Sequence, residues 1–283
     1  MWALGPRRWS EPVVRRLIDE NGGRPPSLLL ERDSDRLRAE QHQLPIDPAA
    51  ITSRLGIRRS VRPLPFAGRI WVDERDETSL DVNAGDLPDR QRFTEAHALM
   101  HTAFPGFDEE RRYRIDESTE RNPPNRQEEY LCDLGAGALL MPRDLIRGRF
   151  DPRDGFEALE RLAEAAHVSL EAAANRLVAV SEEPVVLLCM SHMHAPWERR
   201  LIRQGDSPFE RLRVRYAAAH NVPVSVPRFA SPDPGSGLAE AAMYQGGQVT
   251  DRLPGVNLPL FDIDVRVYDD RAYAFAWPAA LLP

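Results

Sequence analysis

Two histidines four residues apart, His97 and His101, are the feature that most limits how this chain can fold. On an α-helix, residues at this spacing lie on one face about one turn apart, so both imidazoles can approach a single atom. Residues 88–103 are expected to form that helix, with Asp86 as its N-cap and Pro105-Gly106 as its end. Two nitrogens placed this way suit a tetrahedral Zn²⁺ ion, although such pairs also occur as ordinary buried histidines.

A carboxylate follows on a second predicted helix, residues 126–140, which is rich in small residues that allow a neighbouring helix to approach closely. Glu129 lies near its start, 28 residues after His101. A carboxylate from a following helix is the usual third ligand of a catalytic zinc site with two histidines, in which the fourth position stays open. Glu129 is therefore the candidate third ligand, and a solvated carboxylate at a helix start is the alternative.

Three motifs together identify a family. The stretch Arg92-Phe93-Thr94-x-Ala96-His97-x-x-x-His101, then Glu129-x-x-x-Asp133 and Leu139-Leu140-Met141-Pro142, closely resembles the ImmA/IrrE family of zinc peptidases over roughly Ile46–Val180. The resemblance implies that His97, His101 and Glu129 are the zinc ligands. Asp133 stands where the family usually has Asn, and Glu128 is expected to be an outer neighbour of the site or exposed.

The motif helix departs from the family at Ala98, where a glutamate should stand as the general base. A methyl group cannot take the proton of the attacking water or pass it to the leaving amine. Glu95 is no substitute, because it is expected to face away from both histidines. Two explanations stay open: an engineered inactive form, which we favour because the ligands are intact, or a natural pseudo-enzyme that binds without turnover.

The predicted fold class is α+β. Residues 1–34 are predicted to form an N-terminal extension. Residues 35–180 are predicted to form a mainly helical zincin-like peptidase domain with a small sheet and a helical hairpin at 143–180. Residues 184–283 are predicted to form an α+β sensor domain. Residues 107–127 are expected to be a charged loop or lid that shapes the substrate groove. Strand-like runs are predicted at 68–72, 79–83, 185–190, 212–217, 222–226, 258–267 and 272–277.

The second domain resembles, in position and strand content, the GAF-like domain that follows the peptidase in the IrrE branch and in peptidases of anti-phage CBASS operons.

Cys189 is either a core cysteine or an inhibitory fourth ligand that closes the zinc site. His192 and His194 lack the third ligand that a separate metal site needs. A basic segment could contact single-stranded nucleic acid or another ligand, or be a solvated edge; its arginines are Arg199, Arg200, Arg203, Arg211, Arg213 and Arg215.

Composition narrows the class of protein. The 283 residues carry a net charge of −7 and include two cysteines, which excludes a disulfide scaffold and fits a cytoplasmic location. No signal peptide or membrane segment is predicted.

The resemblance implies a zinc endopeptidase that cleaves a helix-turn-helix repressor in a regulated DNA-damage or anti-phage response, with single-stranded DNA or a small ligand as activator. The alternatives are a pseudo-peptidase that binds a repressor, and a DNA-binding regulator that uses residues 156–180.

Overall fold

The computed structural model describes residues 9–107, 112–114, 125–206, 208–244, 246–257 and 260–279. The chain divides into two compact units. The first comprises Gly5–Arg149 with Glu160–Arg176, and the second comprises Phe150–Leu159 with Leu177–Pro283. Each unit combines helices with a sheet, so the α+β class is confirmed. No helix in the described ranges has the length and the apolar character that crossing a membrane requires.

Several of the first eight helices begin at a proline or at a capping side chain. Asp47 accepts a hydrogen bond from the Ala49 N–H at the start of the third helix, as predicted, and Ser169 accepts one from the Ala172 N–H at the start of the eighth. The helices are α1 (Pro12–Glu20), α2 (Pro26–Arg38), α3 (Pro48–Arg54), α4 (Pro88–His101), α5 (Arg126–Leu140), α6 (Arg143–Ile146), α7 (Gly155–Ala166) and α8 (Leu170–Val180).

A four-stranded sheet in the first unit supports α4. Its strands are β1 (Arg58–Arg62), β2 (Gly68–Val72), β3 (Thr78–Asn83) and β4 (Arg112–Arg114), in the order β1-β3-β2-β4. β1 runs parallel to β3, and the other pairs are antiparallel. A Cβ at Gly68 would lie 2.5 Å from a methyl carbon of Thr94, so the absent side chain lets β2 lie close to α4.

The predicted lid is only partly described. Residues 108–111 and 115–124 lie outside the described residues, while 112–114 form β4 and Arg126 begins α5.

The N-terminal helices belong to the core of the first unit. Although residues 1–34 are predicted to be an extension, the side chains of α1 and α2 are buried against α4 and α5. Each fully buried Leu or Val contributes about 1.5–3 kcal/mol, so this cluster fixes the ends of both helices that carry the metal-site residues. Its buried members are Val14, Leu17, Leu29, Leu30, Met100, Phe104, Leu131 and Cys132.

The second unit is built on an antiparallel sheet of five strands. They are β5 (Val185–Met193), β6 (Arg211–His220), β7 (Gly247–Asp251), β8 (Phe261–Tyr268) and β9 (Arg271–Pro278), in the order β6-β5-β9-β8-β7. Two short helices accompany it, α9 (Glu198–Arg203) and α10 (Gly237–Met243). The prediction of a strand at 222–226 is wrong, because Pro223 lies within that segment and Pro227 follows it, and neither supplies an N–H donor. β7 and α9 were not predicted.

Candidate metal centre

The motif helix α4 brings its two histidines together in a buried position. His97 and His101 are each 1% exposed, and their Nε2 atoms lie 3.2 Å apart. The helix begins at Pro88, whose missing N–H costs nothing at a first helical position. The predicted cap is wrong: the N-cap residue is Leu87, and no side chain caps this end.

Helix α5 places Glu129 against both of these nitrogens. One oxygen of Glu129 lies 3.2 Å from Nε2 of His97, and the other lies 3.5 Å from Nε2 of His101. Burial acts to raise the pKa of the Glu129 carboxyl, but the hydrogen bond and charge of His97, with the charge of His101, hold this pKa below its ordinary value. Glu129 is therefore an ionised carboxylate that faces two imidazole nitrogens.

The opposite nitrogen of each histidine contacts a second carboxylate of α5. Nδ1 of His97 lies 2.8 Å from Asp133, and Nδ1 of His101 lies 2.8 Å from Glu128, which is fully buried. Carboxylates only accept hydrogen bonds, so each Nδ1 carries a proton, and the Nε2 atoms are the positions at which a metal ion would replace a proton. Metal-binding histidines are typically held in this way by an outer carboxylate.

The residues present fit a zinc ion. Two Zn–N bonds of about 2.0–2.1 Å at a tetrahedral angle separate the nitrogens by about 3.3 Å, close to the 3.2 Å between the two Nε2 atoms. Two nitrogens at that distance, beside an anionic carboxylate, need a positive charge between them, which a metal ion or a proton supplies. The donor set has two nitrogens and one carboxylate, which is a combination that catalytic zinc sites use.

Cys132 offers a rival sulfur ligand. His97, His101 and Cys132 have potential ligand atoms that all lie within 4.8 Å of one another. The sulfur, however, lies 3.4 Å from Nδ1 of His101, the nitrogen that Glu128 already holds. An ion at the two Nε2 atoms is thus on the side of the His101 ring where Glu129 lies, and we favour Glu129 as the third ligand.

Position 98 carries no group that could transfer a proton. At about 100° per residue, Ala98 lies on the flank of the helix face that bears both histidines, whereas Glu95 lies about 160° from His97. The carboxylate of Glu95 is buried and held by Thr52 at 2.8 Å and by Arg59 at 2.8 and 3.0 Å. Asp133 and Glu128 are already hydrogen-bonded to the histidines, so the described carboxylates around the site all have other roles.

The residues predicted in the second unit form no metal cluster within the described part of the chain. Cys189 is fully buried in β5, where it pairs with Tyr216 and Tyr273 of the neighbouring strands. Its inhibitory role stays a prediction. His194 lies 3.7 Å from Glu210 and 3.9 Å from Glu198, whereas the side chain of His192 is exposed.

The arginines of the predicted nucleic-acid segment differ in accessibility. Arg213 is 6% exposed; it is paired with Glu198 at 2.5 Å and donates to the carbonyls of Met193 and Phe229. It is therefore a structural residue, and its prediction as a surface contact is not supported. Arg215 is half-buried and donates to Ser191. The exposed members are Arg199, Arg200, Arg203 and Arg211.

Helix α8 presents no exposed basic side chain to duplex DNA. Arg176 is the basic residue of α8, and it is 6% exposed. Its guanidinium is held by the carboxylate of Glu31 at 2.5 and 2.8 Å and by the carbonyl of Met141 at 2.8 Å. This residue packs α8 against α2 within the first unit, and its guanidinium is not available to a DNA partner.

Comparison with known proteins points to one peptidase family. Residues 68–178 match the model of the IrrE N-terminal-like domain family, a group of M78 peptidases. The chain is 36% identical over 126 residues to the radiation response metalloprotease IrrE of Deinococcus deserti, covering 44% of each protein. It is 28% identical over 148 residues to the protein of the same name from Deinococcus radiodurans, covering 51% of this chain and 44% of that protein. The chain thus spans less than half the length of these two relatives.

A solved structure resembles nearly the whole chain. A transcriptional regulator of Mycobacterium tuberculosis aligns with a TM-score of 0.54 at 13% identity, covering 94% of this chain and 80% of that one. At this identity the likeness concerns the fold alone. The histidine pair, Glu129 and its outer carboxylates all lie within the span of the family match, so residues 68–178 are similar to the IrrE N-terminal-like domain, and the two IrrE relatives support the resemblance to the ImmA/IrrE family of peptidases.

Proposed function

We propose that the first unit is a zinc-dependent endopeptidase domain whose present sequence binds metal but does not turn over. The observation that carries this proposal is the convergence of the Nε2 atoms of His97 and His101 on the carboxylate of Glu129. Bound zinc would polarise the scissile peptide carbonyl and the attacking water. Asp133 and Glu128 orient the two imidazoles through their Nδ1 atoms.

The missing step is proton transfer. A glutamate at position 98 would take a proton from the attacking water and give it to the leaving amine, which is worth about 10²–10⁴-fold in rate. Ala98 has no proton-accepting atom, and Glu95 is engaged by Arg59 and Thr52. The site as it stands binds and orients without hydrolysing.

The proposed substrate is a helix-turn-helix repressor cut in a stress or anti-phage response, with the second unit as a GAF-like sensor. The names of the two Deinococcus relatives support a metalloprotease in a radiation response. The antiparallel sheet of the second unit and its position after the peptidase domain support the sensor.

Exposed Arg199, Arg200 and Arg203, beside the 60% exposed Trp197, are the surface that single-stranded DNA would contact.

The decisive experiment compares Ala98→Glu with Ala98→Gln, which has nearly the same shape but no basic oxygen. Each zinc-loaded protein is incubated with the product of the adjacent gene, with and without single-stranded DNA. Cleavage at least about 100-fold faster with Ala98→Glu than with Ala98→Gln is expected. Equal, background cleavage by both variants would count against the enzyme and favour the second candidate.

That second candidate is a pseudo-peptidase that sequesters a repressor, and Ala98 is the observation that favours it. It is distinguished by binding: the unaltered protein would hold the adjacent gene product tightly in a metal-dependent manner, while Ala98→Glu would leave the bound partner intact.

A further inference from the structure

Helix α5, which carries Glu128 and Glu129, begins without a cap of its own. Its N-cap residue, Asn125, has a left-handed φ of 63° and makes no capping hydrogen bond through its side chain. The first N–H groups of any helix lack partners inside that helix and need an outside acceptor. Here the acceptor is Glu11, whose oxygens lie 2.8 Å from the Gln127 nitrogen and 3.1 Å from the Glu128 nitrogen.

The contact is reciprocal. The side-chain oxygen of Gln127 accepts hydrogen bonds from the N–H groups of Ser10 at 2.8 Å and Glu11 at 3.0 Å, and its amide nitrogen donates to the Ser10 hydroxyl at 3.2 Å. Next to this pair, the rings of Trp9 and Tyr130 lie 6.4 Å apart between centroids. The start of α5 is thus bonded in both directions to a segment 116 residues earlier in the sequence.

This clamp holds the two carboxylates that shape the metal centre. Glu128, whose N–H is bound by Glu11, is the residue that contacts Nδ1 of His101, and Glu129 is the next residue along. An uncapped first turn frays, and fraying of α5 would let both carboxylates move away from the histidines. A negative charge at a helix N-terminus also interacts favourably with the helix dipole.

We propose that Glu11 is a positioning residue of the metal centre: it caps α5 from the N-terminal segment and so fixes Glu128 and Glu129 toward His97 and His101. The proposal rests on the metal-binding function proposed above. Loss of an outer partner of a metal ligand typically weakens metal binding 10–100-fold. Glu11 acts one step further out, through the backbone, so we expect the lower end of that range.

The test measures metal affinity separately from catalysis. Zn²⁺ binding by the full chain is measured by competition with a chromophoric chelator, and Co²⁺ in the site is followed by its visible absorption. Glu11→Ala should weaken Zn²⁺ binding about 10-fold and alter the Co²⁺ spectrum. Glu11→Gln keeps the shape and one acceptor oxygen, so it should recover part of the affinity.

The matched control is Ser236→Ala, which removes the cap of α10 in the second unit, where Ser236 accepts from the Ala239 N–H. It should lower thermal stability to a similar extent while leaving both metal readouts unchanged. If unaltered protein binds no Zn²⁺, the proposed function fails. If the unaltered protein binds Zn²⁺, and the Zn²⁺ affinities of Glu11→Ala and Glu11→Gln both stay within twofold of its affinity, only the positioning role is overturned. If Glu11→Ala fails to fold, the Zn²⁺ affinity of Glu11→Gln alone decides.

Discussion

The carboxylate of Asp133 lies 2.8 Å from Nδ1 of His97, on the ring edge away from Glu129. An asparagine at 133 could accept the same hydrogen bond through its amide oxygen, so the bond matters more than the charge. We expect Asp133→Asn to leave Zn²⁺ affinity within about threefold and Asp133→Ala to weaken it about 10–100-fold. Chelator competition measures both, and equal losses in the two variants would contradict this assignment.

Cys132 distinguishes the two ligand sets. Its sulfur faces Nδ1 of His101 at 3.4 Å, on the side held by Glu128, so removal of the thiol should leave Zn²⁺ affinity within about twofold. Removal of a Glu129 oxygen ligand should instead weaken binding by at least about 10-fold. Cys132→Ala is compared with Glu129→Ala by chelator competition, and the reverse order of the two losses would assign the metal to the cysteine set.

The parts of the site that were predictable from sequence are local ones. The histidine pair follows from helical spacing, and α5 follows from an apolar pattern rich in small residues. β1 could not be found this way, because all five of its residues are exposed and therefore do not alternate between polar and apolar. β7 is likewise mostly exposed.

Contacts between distant segments were beyond the sequence. The clamp between Glu11 and α5 joins residues 116 apart, and nothing in the local pattern around Glu11 marks it as a cap for another helix. The burial of Arg213 was equally hard to predict from the sequence. In the sequence it is one basic residue among several, and only its burial against Glu198 distinguishes it from its exposed neighbours. Charge counts along a segment do not reveal which guanidinium is buried.

The ion pair of Glu31 with Arg176 predicts a dependence of stability on acid. Burial acts to raise the pKa of Glu31, but the hydrogen bond and charge of Arg176, together with the charge of Arg143, hold it below its ordinary value of 4.5. A carboxyl whose pKa is lowered by folding stabilises the native state at pH values above its pKa in the unfolded chain. This contribution is lost as the pH falls through its pKa in the folded protein.

We therefore expect Glu31→Gln to lower the free energy of unfolding by about 2 kcal/mol at pH 7 and by less as the pH falls below 4.5. Urea unfolding between pH 3 and pH 7 measures the difference. The control is Glu20→Gln, which breaks the pair with Arg16 whose side chains are 51% and 54% exposed. It should change stability by less than about 0.5 kcal/mol, and a parallel offset of Glu31→Gln at every pH would contradict the linkage.

The close approach of α4 and α5 depends on Gly135. A Cβ at this position would lie 2.7 Å from Cε and 2.8 Å from Cγ of Met100, which is fully buried, so the methionine cannot move aside without disturbing the core. Alanine gains about 1 kcal/mol in helix propensity, but overpacking of a core costs about 1–3 kcal/mol. We expect Gly135→Ala to be destabilising overall, by about 1 kcal/mol, and to weaken Zn²⁺ binding because the two helices that carry the candidate ligands separate. Met100→Ala makes room for the added methyl, so in urea unfolding the double variant should lose less than the sum of the single losses. Strict additivity would place the cost of Gly135→Ala elsewhere than at the contact between these helices.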